Sequence, residues 1–167
     1  LTVDFTGVKN VNKITVSVGS TSVTSKEWVD DKAEFTLFKG LTYNLKVQKG
    51  GMVHEKDITI DNEEEKEVTY NVPLTTLTVD FTGVKNVNKI TVSVNSTQVT
   101  YKEWVNDKAE FTLFKGLTYN LKIQKGGMVH EGSITCDDPT EEYKVPLTTL
   151  TVDFTGVKNV NKITVSV

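Results

Sequence analysis

The sequence predicts an all-β fold, organised as tandem small antiparallel β-sandwiches of about 75 residues each. Three observations carry this reading. The segment LTVDFTGVKNVNKITVSV occurs three times unchanged, as Leu1 to Val18, Leu77 to Val94 and Leu150 to Val167. Apolar and polar residues alternate through most of each repeat, the period of a half-buried strand. The runs are short and separated by turn chemistry, which is the spacing of a sandwich rather than of helices between strands. Perfect tandem repetition argues for length, stiffness or multivalency rather than a single reaction centre.

In chain order, Leu1, Val3 and Phe5 share one face of a first strand, and Ile14, Val16 and Val18 share a face of the second. Ala33, Phe35 and Leu37 follow, then Tyr43, Leu45 and Val47, then Ile58 and Ile60, and finally Val68, Tyr70 and Val72. Six or seven strands per unit are expected. The breaks fall at Gly7 with Asn10 and Asn12, at Asp30-Asp31, at Lys39-Gly40, at Gly50-Gly51 and at Asp61-Asn62-Glu63; each supplies residues that accept turn geometry. Threonine, 25 of 167 residues, falls mostly at outward positions such as Thr2, Thr15, Thr36 and Thr59. Its branched Cβ suits a pleated surface and its hydroxyl keeps that surface wet.

The repeats divide the chain into 1–76, 77–149 and a remainder 150–167 holding the first two strands of a third, incomplete unit. A second register, 19–94 and 95–167, fits equally well and leaves 1–18 over. Pro73 and Pro146, each followed by Leu-Thr-Thr, mark the joints. Neither joint contains Gly or Ser, so a semi-rigid rod is expected. The chain has no initiator Met and no signal-like segment at Leu1, which reads as a processed chain or a window on a longer array.

Composition narrows the function. The net charge is −3, all nineteen basic residues are Lys, and there is no Arg, which speaks against nucleic acid, where bidentate Arg contacts and a basic footprint dominate. No apolar run approaches the roughly 20 residues of a membrane-spanning helix. Cys136 is the single cysteine, so no internal disulfide forms. It stands where the first repeat has Ile60 and is expected to be a small buried hydrophobe. No nucleophile triad, phosphate loop or paired-carboxylate pocket stands out, so no enzymatic activity and no cofactor are expected.

From Lys32 to Ile60 the stretch KAEFTLFKGLTYNLKVQKGGMVHEKDITI resembles CnaB-type, PEGA-type and carboxypeptidase-regulatory-like domains. Phe35, Leu37, Gly40, Tyr43, Leu45, Val47, Lys49 and Gly50 carry the likeness, and Phe111, Leu113, Gly116, Tyr119, Leu121, Ile123, Lys125 and Gly126 repeat it. The resemblance covers less than half of each repeat. It implies immunoglobulin-like or transthyretin-like sandwiches, such as stand in tandem in bacterial surface stalks and pilins. It speaks to fold more than to function. An internal Lys-Asn isopeptide bond, frequent in CnaB-type domains, is not expected: the first strand has Asp4 in place of the Lys, and Asn71 of the first repeat becomes Lys144 in the second.

Several constellations invite a site reading. His54 and His130 precede Glu55 and Glu131 after a Gly-Gly-Met-Val turn, yet one His per repeat falls short of a metal site, and a solvent-exposed loop is expected. Asp30-Asp31 and the acidic run from Asp61 to Glu65 lack the spacing of a calcium loop. Trp28 and Trp104 lie in the one part of the repeat without clear alternation. They are expected to plug one end of the sandwich; exposed, they would instead form a candidate ligand loop able to stack on a sugar ring. Asn95-Ser96-Thr97 is a glycosylation sequon present only in the second repeat.

The remainder matters most for function. Leu150, Val152, Phe154, Ile163, Val165 and Val167 repeat the apolar face of Leu1, Val3 and Phe5, with no partner strands to cover it. These nine residues are the candidate assembly strands. The expected function is a structural repeat protein, a subunit or segment of an extracellular fibre, pilus-like appendage or cell-surface stalk. Its expected partner is itself, head to tail or laterally, with strand donation as one mode. The alternative is an adhesin module whose loops bind carbohydrate or a host protein. The copies differ beside the tryptophans, at Ser22/Gln98, Ser25/Tyr101 and Asp30/Asn106, which favours scaffold over shared binding site.

Overall fold

A computed structural model of the chain describes residues 1–63 and 67–167; Glu64 and Glu65 of the acidic run lie outside them. The described residues form fourteen strands and no helix, hence none long and apolar enough to cross a membrane. Unit 1 holds β1 (Thr2–Asp4), β2 (Val11–Val18), β3 (Thr21–Val29), β4 (Lys32–Glu34), β5 (Leu41–Lys49), β6 (Met52–Ile60) and β7 (Thr69–Asn71). Unit 2 holds β8 (Leu74–Asp80), β9 (Val87–Val94), β10 (Thr97–Val105), β11 (Lys108–Phe114), β12 (Leu117–Lys125), β13 (Met128–Cys136) and β14 (Thr140–Lys144). Each unit is a sandwich of a three-stranded and a four-stranded sheet. The orders are β4-β1-β7 over β3-β2-β5-β6, and β11-β8-β14 over β10-β9-β12-β13.

The alternating residues do what their period demands. Val3 and Phe5 of the small sheet meet Ile14, Val16, Tyr43, Leu45 and Val47 of the large one, all buried. Val79, Phe81, Ile90, Val92, Tyr119, Leu121 and Ile123 repeat the arrangement in unit 2. Cys136 is buried where Ile60 stands in unit 1. Most pairings are antiparallel. The last strand of each unit, however, pairs parallel with the first, β7 with β1 and β14 with β8, so each unit's chain ends beside its own start and the next unit follows directly.

The pattern did not reveal β3 and β10 as strands. They lie at the edge of the large sheet, exposed along most of their length on both faces, and each pairing carries a register shift. An edge strand that gives almost none of its length to the core, Val99 of β10 excepted, has little reason to alternate.

Aspartates fix the loops. Asp4 accepts hydrogen bonds from the Thr6 backbone N–H and hydroxyl, and Asp80 and Asp153 do the same with Thr82 and Thr155. Asp31 accepts from the Gly7 N–H and pairs with Lys9; Asp107, Gly83 and Lys85 repeat this. The Lys9 hydrogen bond holds Asp31 below the usual carboxylate range. The Asp30/Asn106 difference is silent here, since either side chain accepts the N–H of Asn10 or Asn86 at 2.6 Å.

The third copy forms no strand. Residues 145–167 carry a turn closed by the Val157 N–H on the Phe154 carbonyl, and Leu150, Val152, Ile163, Val165 and Val167 are exposed.

Candidate functional site

The two units meet at a joint built from Met52 on one side and Phe114 with Tyr119 on the other. Met52 opens β6 directly after the Gly50-Gly51 turn, so its side chain projects from the end of unit 1. Phe114 closes β11, and Tyr119 faces the core of unit 2 from β12. The Tyr119 hydroxyl donates to the Phe114 carbonyl at 2.6 Å and touches Met52 Sδ at 3.1 Å. The Phe114 N–H points at the same sulfur, 3.5 Å away. His54 lies edge-on to the Phe114 ring with centroids 6.4 Å apart. A thioether suits this place because it is polarisable, flexible and a weak acceptor.

Glycine is required where the units touch. An ideal Cβ at Gly51 would sit 2.5 Å from the Val94 carbonyl oxygen, and one at Gly50, whose φ is +52°, would overlap the Gln98 carbonyl. At Gly126, with nearly the same φ, nothing lies within 4 Å.

Identical residues therefore have opposite fates at the inner and outer ends. Phe114 is 0% exposed, whereas its counterpart Phe38 is 83% exposed. Met52 is 0% exposed and Met128 50%. Thr75, two residues past Pro73, is buried opposite Leu113, and its hydroxyl has no partner among the described residues.

The tryptophans are not plugs. Trp28 and Trp104 are 69% and 68% exposed. Each sits one residue before the end of its strand at φ of 55° and 56°, a backbone state that is an outlier for a bulky residue. The irregular backbone of an edge strand turns the ring outward instead of into the core. Trp28 then lines a hollow of about 300 Å³ with Asn10, Asn12, Gly50 and Tyr101, which spans both units. Trp104 lines a hollow of about 700 Å³ with Asn86, Asn88, Met128 and Val167.

The histidines are not in loops. His54 and His130 lie within β6 and β13, half-buried, each 2.9 Å from a tyrosine hydroxyl, Tyr70 and Tyr143 respectively. Burial, and then the nearby Lys56, lower the pKa of His54. Tyr143 reaches over Gly132, where any Cβ would overlap its hydroxyl; unit 1 has Lys56 at that place. Among the described residues no three His, Cys, Asp or Glu side chains are grouped to hold a metal.

Asn95 and Ser96 form the β9–β10 turn, with φ of 47° and 66°. Gly19 meets the same left-handed demand in unit 1. Asn95 is exposed beside the joint. Asn71 and Lys144 are both exposed.

The fold and the joint define a class, a tandem β-sandwich repeat protein whose units pack end on end. No described protein family, curated protein or solved structure matches the chain.

Proposed function

We propose that the chain is a structural repeat protein, a segment of an extracellular fibre, pilus-like appendage or cell-surface stalk. The observation that carries this reading is the Met52 joint: Phe114, Val94 and Val99 are buried in unit 2, while the same residues of unit 1, Phe38, Val18 and Val23, are exposed. A repeat that buries apolar side chains against its neighbour resists bending at the joint, as a stalk requires. Placement outside the cell rests on the resemblance to bacterial surface domains. Electron microscopy of native material beside the isolated chain tests the reading. Straight filaments or rods with an axial period of one unit support it, and flexibly linked beads would sink it.

A second reading has its own observation. Two exposed tryptophans at strained backbone positions, each beside asparagines, Trp28 at the unit joint and Trp104 at the outer end of unit 2, form ledges suited to stacking a sugar ring, and two on one rod would add avidity. The adhesin reading expects glycans to quench tryptophan fluorescence, with loss of quenching in Trp28→Ala and Trp104→Ala. A glycan panel without any response removes it.

A further inference from the structure

We propose that the cleft between the two units holds an acidic saccharide, with a sugar ring against Trp28 and Tyr101 and the sugar's carboxylate toward Lys49 and Lys102. The inference rests on the adhesin reading and deepens it, naming the ligand class and placing the site at the inner joint. Two hollows, of about 300 and about 250 Å³, share Lys49, Val99 and Thr100 and so form one cleft. Unit 1 contributes the β1–β2 loop, Trp28 and the Lys49-Gly50 turn, and unit 2 contributes β10 from Gln98 to Lys102 with part of β11. The walls are held by the joint itself, where Gly50 and Gly51 lie against the carbonyls of Gln98 and Val94. The cleft is therefore formed before any ligand arrives, as small-molecule sites usually are.

The first hollow has the chemistry of a sugar platform. Trp28 is 69% and Tyr101 49% exposed, and the Lys89 ammonium stands over the Tyr101 ring, 4.4 Å from its centroid. Asn12 accepts the Gly50 N–H through Oδ1, which leaves its amide N–H groups to donate. The side chains of Asn10 and Gln98 have no partner among the described residues. Aromatic faces take the C–H side of a pyranose, and amides take its hydroxyls. A peptide adding to the open edge of β10 is disfavoured, because the register shift between Gln98 and Thr100 interrupts the ladder at the cleft.

The second hollow supplies the charge. Lys9 is paired with Asp31, but Lys49 donates only to the Lys9 carbonyl, and Lys102 lies over the Phe111 ring, 5.6 Å from its centroid. Neither Lys49 nor Lys102 pairs with a carboxylate among the described residues. Glu110 lines the same hollow, so two unpaired cations face one carboxylate. Burial lowers the pKa of Lys49, with Asp30 opposing it, as befits a cation short of counter-charge. An anionic group on the ligand meets that need.

The differences between the repeats fall at this place. Where β10 has Gln98 and Tyr101, β3 has Ser22 and Ser25. A cleft built by two units asks different residues of each, Trp28 of the first and Gln98 and Tyr101 of the second. Divergence beside the tryptophans thus fits a site between units, although it speaks against the same site repeated within each.

Proton–nitrogen correlation NMR on the full chain tests this with three acidic probes: a galacturonate trisaccharide, a hyaluronan tetrasaccharide and sialyllactose. The galacturonate methyl ester, carboxyl-reduced hyaluronan and lactose are the neutral counterparts. At least one acidic probe is expected to shift the Trp28 indole and Gln98 resonances saturably, and its counterpart to bind about threefold or more weakly. Trp28→Ala and Tyr101→Ser are each expected to weaken the acidic probe about tenfold. Tyr101→Ser installs the residue that unit 1 already carries at that place, so the fold accepts it. Lys102→Gln is expected to erase the preference for the acid while leaving the neutral sugar's affinity unchanged, and Trp104→Ala to change neither. The proposal is overturned if no acidic probe binds, if the neutral counterparts bind as well, or if Tyr101→Ser or Lys102→Gln has no effect. A glutamate hexapeptide that moves the same resonances as strongly also overturns it, since charge alone would then suffice. Neutral sugars that bind at Trp28 or Trp104 without preference for acid leave the adhesin reading standing while this inference fails; silence from every sugar removes both.

Discussion

The sulfur of Met52 lies 3.1 Å from the hydroxyl of Tyr119, a residue of the other repeat unit. Around this contact an alternating, surface-wetting sheet protein acquires a second kind of core, one shared by two units rather than enclosed in either. The same methionine and tyrosine recur at the outer ends as Met128 and Tyr43, which allows paired experiments in which the sequence context is held constant.

Phe114→Ala and Phe38→Ala remove the same ring from the same local sequence. The first empties a buried site and is expected to cost about 3–5 kcal/mol; the second touches an exposed ring and is expected to change monomer stability by less than about 0.5 kcal/mol. Urea denaturation of the two variants checks this, and equal losses would mean that the joint buries nothing.

Thr75→Val is expected to stabilise. The buried Thr75 hydroxyl has no hydrogen-bond partner among the described residues, and an unsatisfied buried donor costs about 1–3 kcal/mol. Valine keeps the shape and drops the polar atom, so a gain of about 1 kcal/mol in the melting free energy is the expected result. A loss would show that the hydroxyl is satisfied in solution.

His54 makes the joint sensitive to acid. Burial lowers its pKa below the ordinary 6.5, so the neutral ring is favoured in the folded state and the unfolded chain takes up the proton first. Stability is fully present above about 6.5 and declines as the pH falls below it, levelling only beneath the lowered folded value. The loop aspartates act in a separate, lower window. Asp31 and Asp107, held below the carboxylate range by Lys9 and Lys85, lend stability above their unfolded pKa near 3.8, and it fades as pH drops through the depressed values. Melting temperature against pH is expected to show the upper step in the wild type and to lose it in His54→Gln.

Cys136 should report on the opening of unit 2. It is buried, and burial followed by Glu141 and Asp137 pushes its thiol up to about 11. Reaction with a disulfide reagent needs the thiolate and access, so labelling at mildly alkaline pH is expected only when unit 2 unfolds. Rapid labelling of the native chain would contradict its place in the core.

Much of the fold is legible in the residues. Val3, Phe5, Ile14, Val16, Tyr43, Leu45 and Val47 alternate because each strand has one dry face, and that face is the core. Two kinds of feature escape. Large aromatics usually bury, which favours plugs at Trp28 and Trp104, but an edge strand with an irregular backbone sets both rings outward. Glycines before His54 and His130 suggest loops, whereas Gly50-Gly51 is a tight hairpin turn and the strand resumes at once at Met52.

The sequence by itself determined that the chain is all-β, that its units repeat, where their turns fall and which strand faces are apolar, because these follow from local periodicity and turn chemistry. It could not determine which of Phe38 and Phe114, or of Met52 and Met128, is buried. Their neighbours along the chain are nearly the same, so no local signal separates them. Only the tertiary structure decided it, because burial at an end depends on whether another unit packs there.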